Sequence, residues 1–251
     1  MRPIAAFLAP VALLATGNGD EGAGGAAAPA PAALPDMGAT VAVAPLRLEI
    51  GSGQTAATLR LRNPSTTRIG VQVRAFAWSQ AGGEDEYAAT TDIVITPAII
   101  TIEPGEEQFF RVLRTGGGGG GGTGEGRYRV AIDQLPDPSQ TRHGSATARL
   151  RFTIPLFVDR DIASAPQLDW AFGPDGLTAR NMGGQTVKIV NLSARDASGQ
   201  AVNVDRNGLR YLLGGSAINW PLAGACPAGP VAVSVLIDGE PVDVQAASRC
   251  G

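Results

Sequence analysis

The chain has 251 residues, 17% of them charged, with 20 Lys+Arg against 23 Asp+Glu and a formal net charge of −3 at pH 7. That length suits one large or two ordinary domains, and that balance excludes a basic nucleic-acid-binding field. With one histidine, His143, two cysteines and no paired-carboxylate motif, the composition argues against a zinc site, histidine-centred catalysis or a small-molecule substrate, and the chain reads as a non-enzyme without a cofactor.

At the N-terminus, Met1-Arg2 precede IAAFLAPVALLA, an apolar core of signal-peptide length that is too short to span a bilayer. A Gly/Ala/Pro-rich stretch follows that cannot build a core. Residues 1–39 are therefore read as a signal peptide with a low-complexity stretch, and the exported fold is expected from residue 40. Export makes a Cys226–Cys250 disulfide the expected state.

From Thr40 the signals are those of strands. VAVAPLRLEI (41–50), TAATLRLRNPS (55–65) and RIGVQVRAFAW (68–78) alternate apolar and polar residues, and Asn63-Pro64 is a turn pair. AGGEDEY (81–87) reads as a polar loop. IVITPAIITI (93–102) carries Pro97, and Pro104-Gly105 turns the chain into EEQFFRVLR (106–114). The glycine run 116–122 lacks the Lys-Ser/Thr of a phosphate loop. GRYRVAIDQLP (126–136) is the next strand. GSATARLRFTIPLF (144–157) follows, with one apolar face of Ala146, Ala148, Leu150, Phe152 and Ile154. Pro155 marks it as an edge strand, and a long apolar edge needs a cover. This set spaces like a β-sandwich.

A second set comprises 167–172, 176–181, 185–194, 200–204, 209–213 and a hairpin on Asp238-Gly239 (231–245). The expected fold is all-β: two β-sandwiches, residues 40–158 and 159–251, joined by a short hinge.

Several of these segments resemble a known family. IEPGEEQFFRVLR (102–114) is similar to the E-P-G-x-x-Q-x-x-R-V block of PapD-like periplasmic pilus chaperones. EGRYRVAIDQLP (125–136), RLRFTIPLFV (149–158) and APLRLEI (44–50) resemble other strands of its first domain. YLLGGSAINWPL (211–222) resembles the second domain of the archaic, Csu-type branch. The resemblance implies two immunoglobulin-like domains set at an angle, working in the periplasm. It also implies partners: pilin subunits, each missing a strand, and an outer-membrane usher. The chaperone lends its last first-domain strand to the subunit by β-strand addition. On this reading Ala146, Ala148, Leu150, Phe152 and Ile154 are the donor residues, and the client's open core is their cover. A second copy of the chain, in a self-capping dimer, is another cover.

The family grips the client's C-terminal carboxylate with an arginine on its first strand and a lysine on its last first-domain strand. Arg47 matches the first. Pro155 stands where the lysine belongs, so Arg111, then Arg151, are the candidates to replace it. The resemblance further implies an interdomain acid–base network of Glu125, Arg160 and Asp238. A secreted Ig-like structural or adhesive surface protein is the competing function.

Overall fold

A computed structural model describes residues 41–116, 124–136, 150–204 and 208–250. The leader 1–39, His143, Ala146 and Ala148 lie outside the described residues. Residues 38–251 form one compact unit, built around two separate large cores.

The first core lies between two sheets. One runs in the order β1 (Ala42–Ala44), β3 (Ala56–Arg62), β8 (Glu107–Arg114), β6 (Ile93–Thr96). The other runs β2 (Leu48–Ile50), β10 (Arg151–Val158), β9 (Gly126–Gln134), β4 (Ile69–Ala81), β5 (Glu84–Ala89), with β7 (Ile99–Ile102) also on β4. Alternation explains the layering. Leu59 and Leu61 of β3 are buried while Arg60 and Arg62 face solvent, and Ile69, Val71 and Val73 of β4 meet them from the opposite sheet. Asn63 is fully buried at the turn after β3. Its amide donates to the carbonyls of Thr67 (2.8 Å) and Ile102 (2.9 Å) and its oxygen accepts from Ser65 N–H, so the buried polar group is satisfied.

The sequence reading differs from the structure at three places here. Residues 41–50 are two strands rather than one: β1 joins one sheet and β2 the other, with Pro45, which has no N–H to donate, between them. Residues 93–102 divide in the same way about Pro97. The expected polar loop 81–87 contains most of β5, which pairs with β4 over its whole length. Every residue of β5 is exposed, so no apolar face announced it.

The second core belongs to a path of seven strands: β14 (Arg210–Leu212), β13 (Val187–Arg195), β16 (Val231–Ile237), β17 (Glu240–Ser248), β11 (Leu168–Gly173), β12 (Gly176–Asn181), β15 (Ala217–Pro221). Its two ends share one core, since Phe172 and Leu177 pack with Ile189, Leu212 and Val233. Trp170 and Trp220 stack at 5.7 Å within it. Residues 200–204, expected as a strand, make only two isolated bridges, Arg195–Ala201 and Val204–Leu222. The expected hairpin turns at Asp238 and Gly239, both with positive φ. Cys226 and Cys250 are joined in a disulfide. The chain passes from β10 to the second strand set through Asp159, whose φ is 57°, and a single 3-10 turn at Arg160–Ile162.

Candidate functional site

The cleft is built on one face of the second sheet. Cross-strand partners share a face, and the register pairs Pro155 with Arg129, Phe157 with Arg127, and Trp78 with Tyr87. This face therefore carries Arg129, Pro155, Phe157, Trp78 and Tyr87, while Ile154, Leu156 and Val158 point into the first core. Phe157 and Trp78 form a small third core with Leu213 and the partly buried Tyr211 from the second strand set. In front of it opens a cleft of about 770 Å³ lined by Arg47, Asp85, Arg129, Pro155, Lys188, Arg210 and Tyr211, among others.

Arg47 lies at the bend leading into β2. Its guanidinium sits 4.8 Å over the Phe157 ring and pairs with Glu49. Arg129 is 9% exposed and is stacked 3.8 Å from the Trp78 ring and 4.7 Å from the Tyr211 ring. Its Nε and the indole Nε1 of Trp78 are buried without a hydrogen-bond partner. Both arginines act on Tyr211. Burial pushes the Tyr211 hydroxyl above its ordinary value of 10.0, and the charges of Arg129 and Arg47 pull it back down. The arrangement is a part-enclosed cationic site with aromatic walls. Such an arrangement can hold an anion, since a guanidinium fork matches a carboxylate.

Two of the expected anchors are not in this cleft. Arg111 lies on β8 of the opposite sheet, exposed, beside Thr58 and Thr96. Consecutive strands β8 and β9 belong to different layers, so adjacency in sequence does not bring Arg111 near Arg47. Arg151 faces the same way as Pro155 but lies at the start of β10, where it pairs with Asp133, as does Arg74 at 2.7 Å. Arg129 was not among the expected anchors. Its signal was cross-strand: it stands opposite Pro155, a relation visible only once the register is known.

The expected donor face is divided. Leu150 is 40% exposed, Phe152 is half-buried, and Ile154 is 4% exposed within the chain's own core. Ile154 is thus corrected from an open donor to a core residue, because its side chain packs into the core between the two sheets. Over Arg151–Pro155, β10 pairs with β9 on one side, and β2 joins its other side only from Leu156. Among the described residues, no strand covers that edge.

Glu125, Arg160 and Asp238 are brought together. Arg160 donates to Glu125 (3.2 Å) and lies 3.8 Å from Asp238. Glu125 is fully buried and also accepts from Thr186 N–H at 2.6 Å, while Arg160 donates to the Thr186 carbonyl at 2.7 Å. Burial pushes the Glu125 carboxyl above its ordinary 4.5, against the Thr186 N–H and the Arg160 charge. A second bridge runs from the β4–β5 hairpin. Gln80 donates to the Tyr211 carbonyl (2.7 Å) and accepts from Leu213 N–H (3.0 Å), and Arg210 donates to the Gly83 carbonyl (2.6 Å).

Residues 40–160 match the family model described as pili and flagellar-assembly chaperone, PapD N-terminal domain. No curated protein matches the chain. Among solved structures, the chain is similar to a chaperone–tip adhesion subunit pre-assembly complex of the archaic Csu pili of Acinetobacter baumannii. There the identity is 21%, over 83% of this chain and 99% of that one, with a TM-score of 0.65. It is also similar to the Salmonella enterica SafA pilin in complex with the SafB chaperone (20% identity, 82% and 95% coverage, TM-score 0.59) and to the Escherichia coli chaperone DraB (18%, 83% and 98%, 0.58). At these identities the likeness is one of fold: all-β, with the two domains of those chaperones.

Proposed function

We propose, from the premise that residues 40–160 belong to the PapD N-terminal domain family of pili and flagellar-assembly chaperones, that the chain captures pilin subunits by lending them the free edge of β10. The observation that carries this reading is the one-sided pairing of β10 over Arg151–Pro155, beside a cleft that holds Arg47 and Arg129. An unpaired edge supplies main-chain hydrogen bonds to an added strand, and alternate side chains fill its groove. Leu150 and Phe152 are the described donor positions, and Ala146 and Ala148 continue them toward the N-terminus. The solved complexes named above pair chaperones with pilus subunits, and a strand-deficient pilin is the partner proposed here.

Arg47 and Arg129 hold the client's C-terminal carboxylate, with Arg129 supplying the cation that Pro155 does not. Glu125, Arg160 and Asp238, with the Gln80 and Arg210 bridges, fix the two sandwiches, residues 40–158 and 159–251, on either side of the cleft. Export through the leader at 1–39, work in the periplasm and delivery to an outer-membrane usher belong to the same reading, as does capping of the free edge by a second copy when no client is present. Co-production in the periplasm with a pilin subunit from the source genome tests it. The subunit is expected to accumulate in a soluble one-to-one complex; degradation at the same rate with and without the chain overturns the reading.

A further inference from the structure

Among the described residues, the buried guanidinium of Arg129 pairs with one carboxylate, that of Asp85. Asp85 Oδ2 lies 3.8 Å from Arg129 Nη2, close enough for Coulomb attraction and too far for a hydrogen bond. Asp85 is held in that position from behind. Gln80 Nε2 donates to its Oδ1 at 2.8 Å and the Tyr87 hydroxyl donates to its Oδ2 at 3.1 Å. Its side chain keeps 33% exposure at the cleft mouth, whereas that of Arg129 keeps 11%. An arginine this buried requires an anion nearby, and this one retains an unpartnered Nε.

We propose that Asp85 is a resident counter-ion for Arg129, one that a client's terminal carboxylate displaces, so that Asp85 sets how tightly clients bind. The inference rests on the carboxylate reading of the cleft given above. Asp85 steadies the Arg129 charge in the free protein without satisfying its hydrogen bonds. An incoming carboxylate that makes those hydrogen bonds replaces a weaker contact with a stronger one. Binding is therefore opposed by the interaction already present, and affinity reports the difference between the two. The position of Asp85 also ties the exchange to the second strand set, because Gln80, which holds Asp85, is itself bonded to Tyr211 and Leu213.

The probe is a synthetic peptide of alternating apolar residues, made once as a free C-terminal acid and once as the C-terminal amide, titrated into the full exported chain by calorimetry. Wild type is expected to bind the acid about tenfold tighter than the amide, the effect of one charge-assisted pair. Asp85→Asn keeps the shape and removes the competing charge. It is expected to tighten acid binding severalfold and leave amide binding unchanged. Asp85→Glu, whose longer arm reaches Arg129, is expected to weaken acid binding alone. Equal binding of acid and amide by wild type removes the carboxylate reading and the counter-ion with it. A wild-type preference for the acid that Asp85→Asn leaves unchanged or reduces overturns the counter-ion proposal only. If neither peptide binds, strand capture itself fails, and both fall. Asp85→Asn takes the counter-ion from a buried arginine, so a melting temperature somewhat below wild type is expected, and amide binding at wild-type strength separates its effect on the acid from misfolding.

Discussion

Arg129 stands directly opposite Pro155 in the β9–β10 ladder, on the face that looks into the cleft. Proline at that point of an edge strand costs no ladder hydrogen bond on the open side, but it brings no charge. On the neighbouring strand Arg129 carries a charge on that same face, and the rings of Trp78 and Tyr211 stack against it.

The consequence is a ranking among arginines. Arg47→Ala and Arg129→Gln should each reduce recovery of a client complex by about tenfold or more, since a hydrogen bond to a charged group contributes about 1.5–3 kcal/mol. Arg129→Lys should recover part of the loss. Arg111→Ala should change nothing, because that side chain lies on the outer face of the other sheet. Quantifying the subunit co-purified with each variant checks the order. Loss with Arg111→Ala and not with Arg129→Gln would return the anchor to β8.

Glu125 gives a pH prediction. Its native pKa is raised above 4.5 by burial. Between 4.5 and the raised value the native state holds a proton that the unfolded chain has released. The destabilising contribution is complete above the native value and is relieved as pH falls toward 4.5. The melting temperature of wild type relative to Glu125→Gln should therefore rise as pH falls through that window and level off below it. Glu125→Ala, which leaves the Thr186 N–H without its acceptor and Arg160 with only the Thr186 carbonyl and Asp238, should cost about 1–3 kcal/mol at neutral pH. A wild-type advantage that grows as pH rises would show that burial is not the dominant influence on this carboxyl.

The disulfide spans a separation of 24 residues near the end of the second strand set. Closing a loop of that size is worth about 3 kcal/mol in the chain-entropy model. Replacing both cysteines by serine should lower the melting temperature by about 6–12 °C. Alkylation of the exported protein without reductant should add no mass; two adducts would mean that the thiols are free.

The strands that were legible in the sequence are those with one dry face. Leu59/Leu61 and Val71/Val73 announce β3 and β4, because burial on one side imposes period two. β5 was not legible, since none of its residues is buried and only its pairing with β4 defines it. At the site, Arg47, Glu125 and Arg160 could be named from motif positions, with Asp238 added as a third member from the hairpin turn. Arg129 could not, because it reaches the cleft through the β9–β10 register. Asp85 depends on a strand that the sequence did not announce. The apolar alternation around Ile154 was visible, but alternation records only that a face is dry. Whether that face meets this chain's own core or another protein depends on how far the core between the two sheets extends along β10.

The division runs along β10 itself, and it yields the sharpest test. Leu150 keeps 40% of its surface exposed, whereas Ile154 keeps 4%. Leu150 stands one residue before β10, its carbonyl still accepting from Gln134 N–H at 3.0 Å, so the alternation that carries Ile154 extends to it. A carboxylate at Leu150 can remain in water in the free protein, so Leu150→Glu should change stability by no more than about 0.5 kcal/mol. In a client's groove the same carboxylate would be buried without a partner, at a cost of several kcal/mol, and capture should be lost. Ile154→Glu places the charge in the chain's own core and should unfold the first strand set whether or not a client is present. Thermal unfolding of both variants, with client capture measured alongside, separates a donor position from a core position. If Leu150→Glu melts as low as Ile154→Glu, the overhanging end of β10 is core and not donor. If it melts like wild type and still captures clients in full, Leu150 has no part in the groove, and the donor segment must lie elsewhere along the strand.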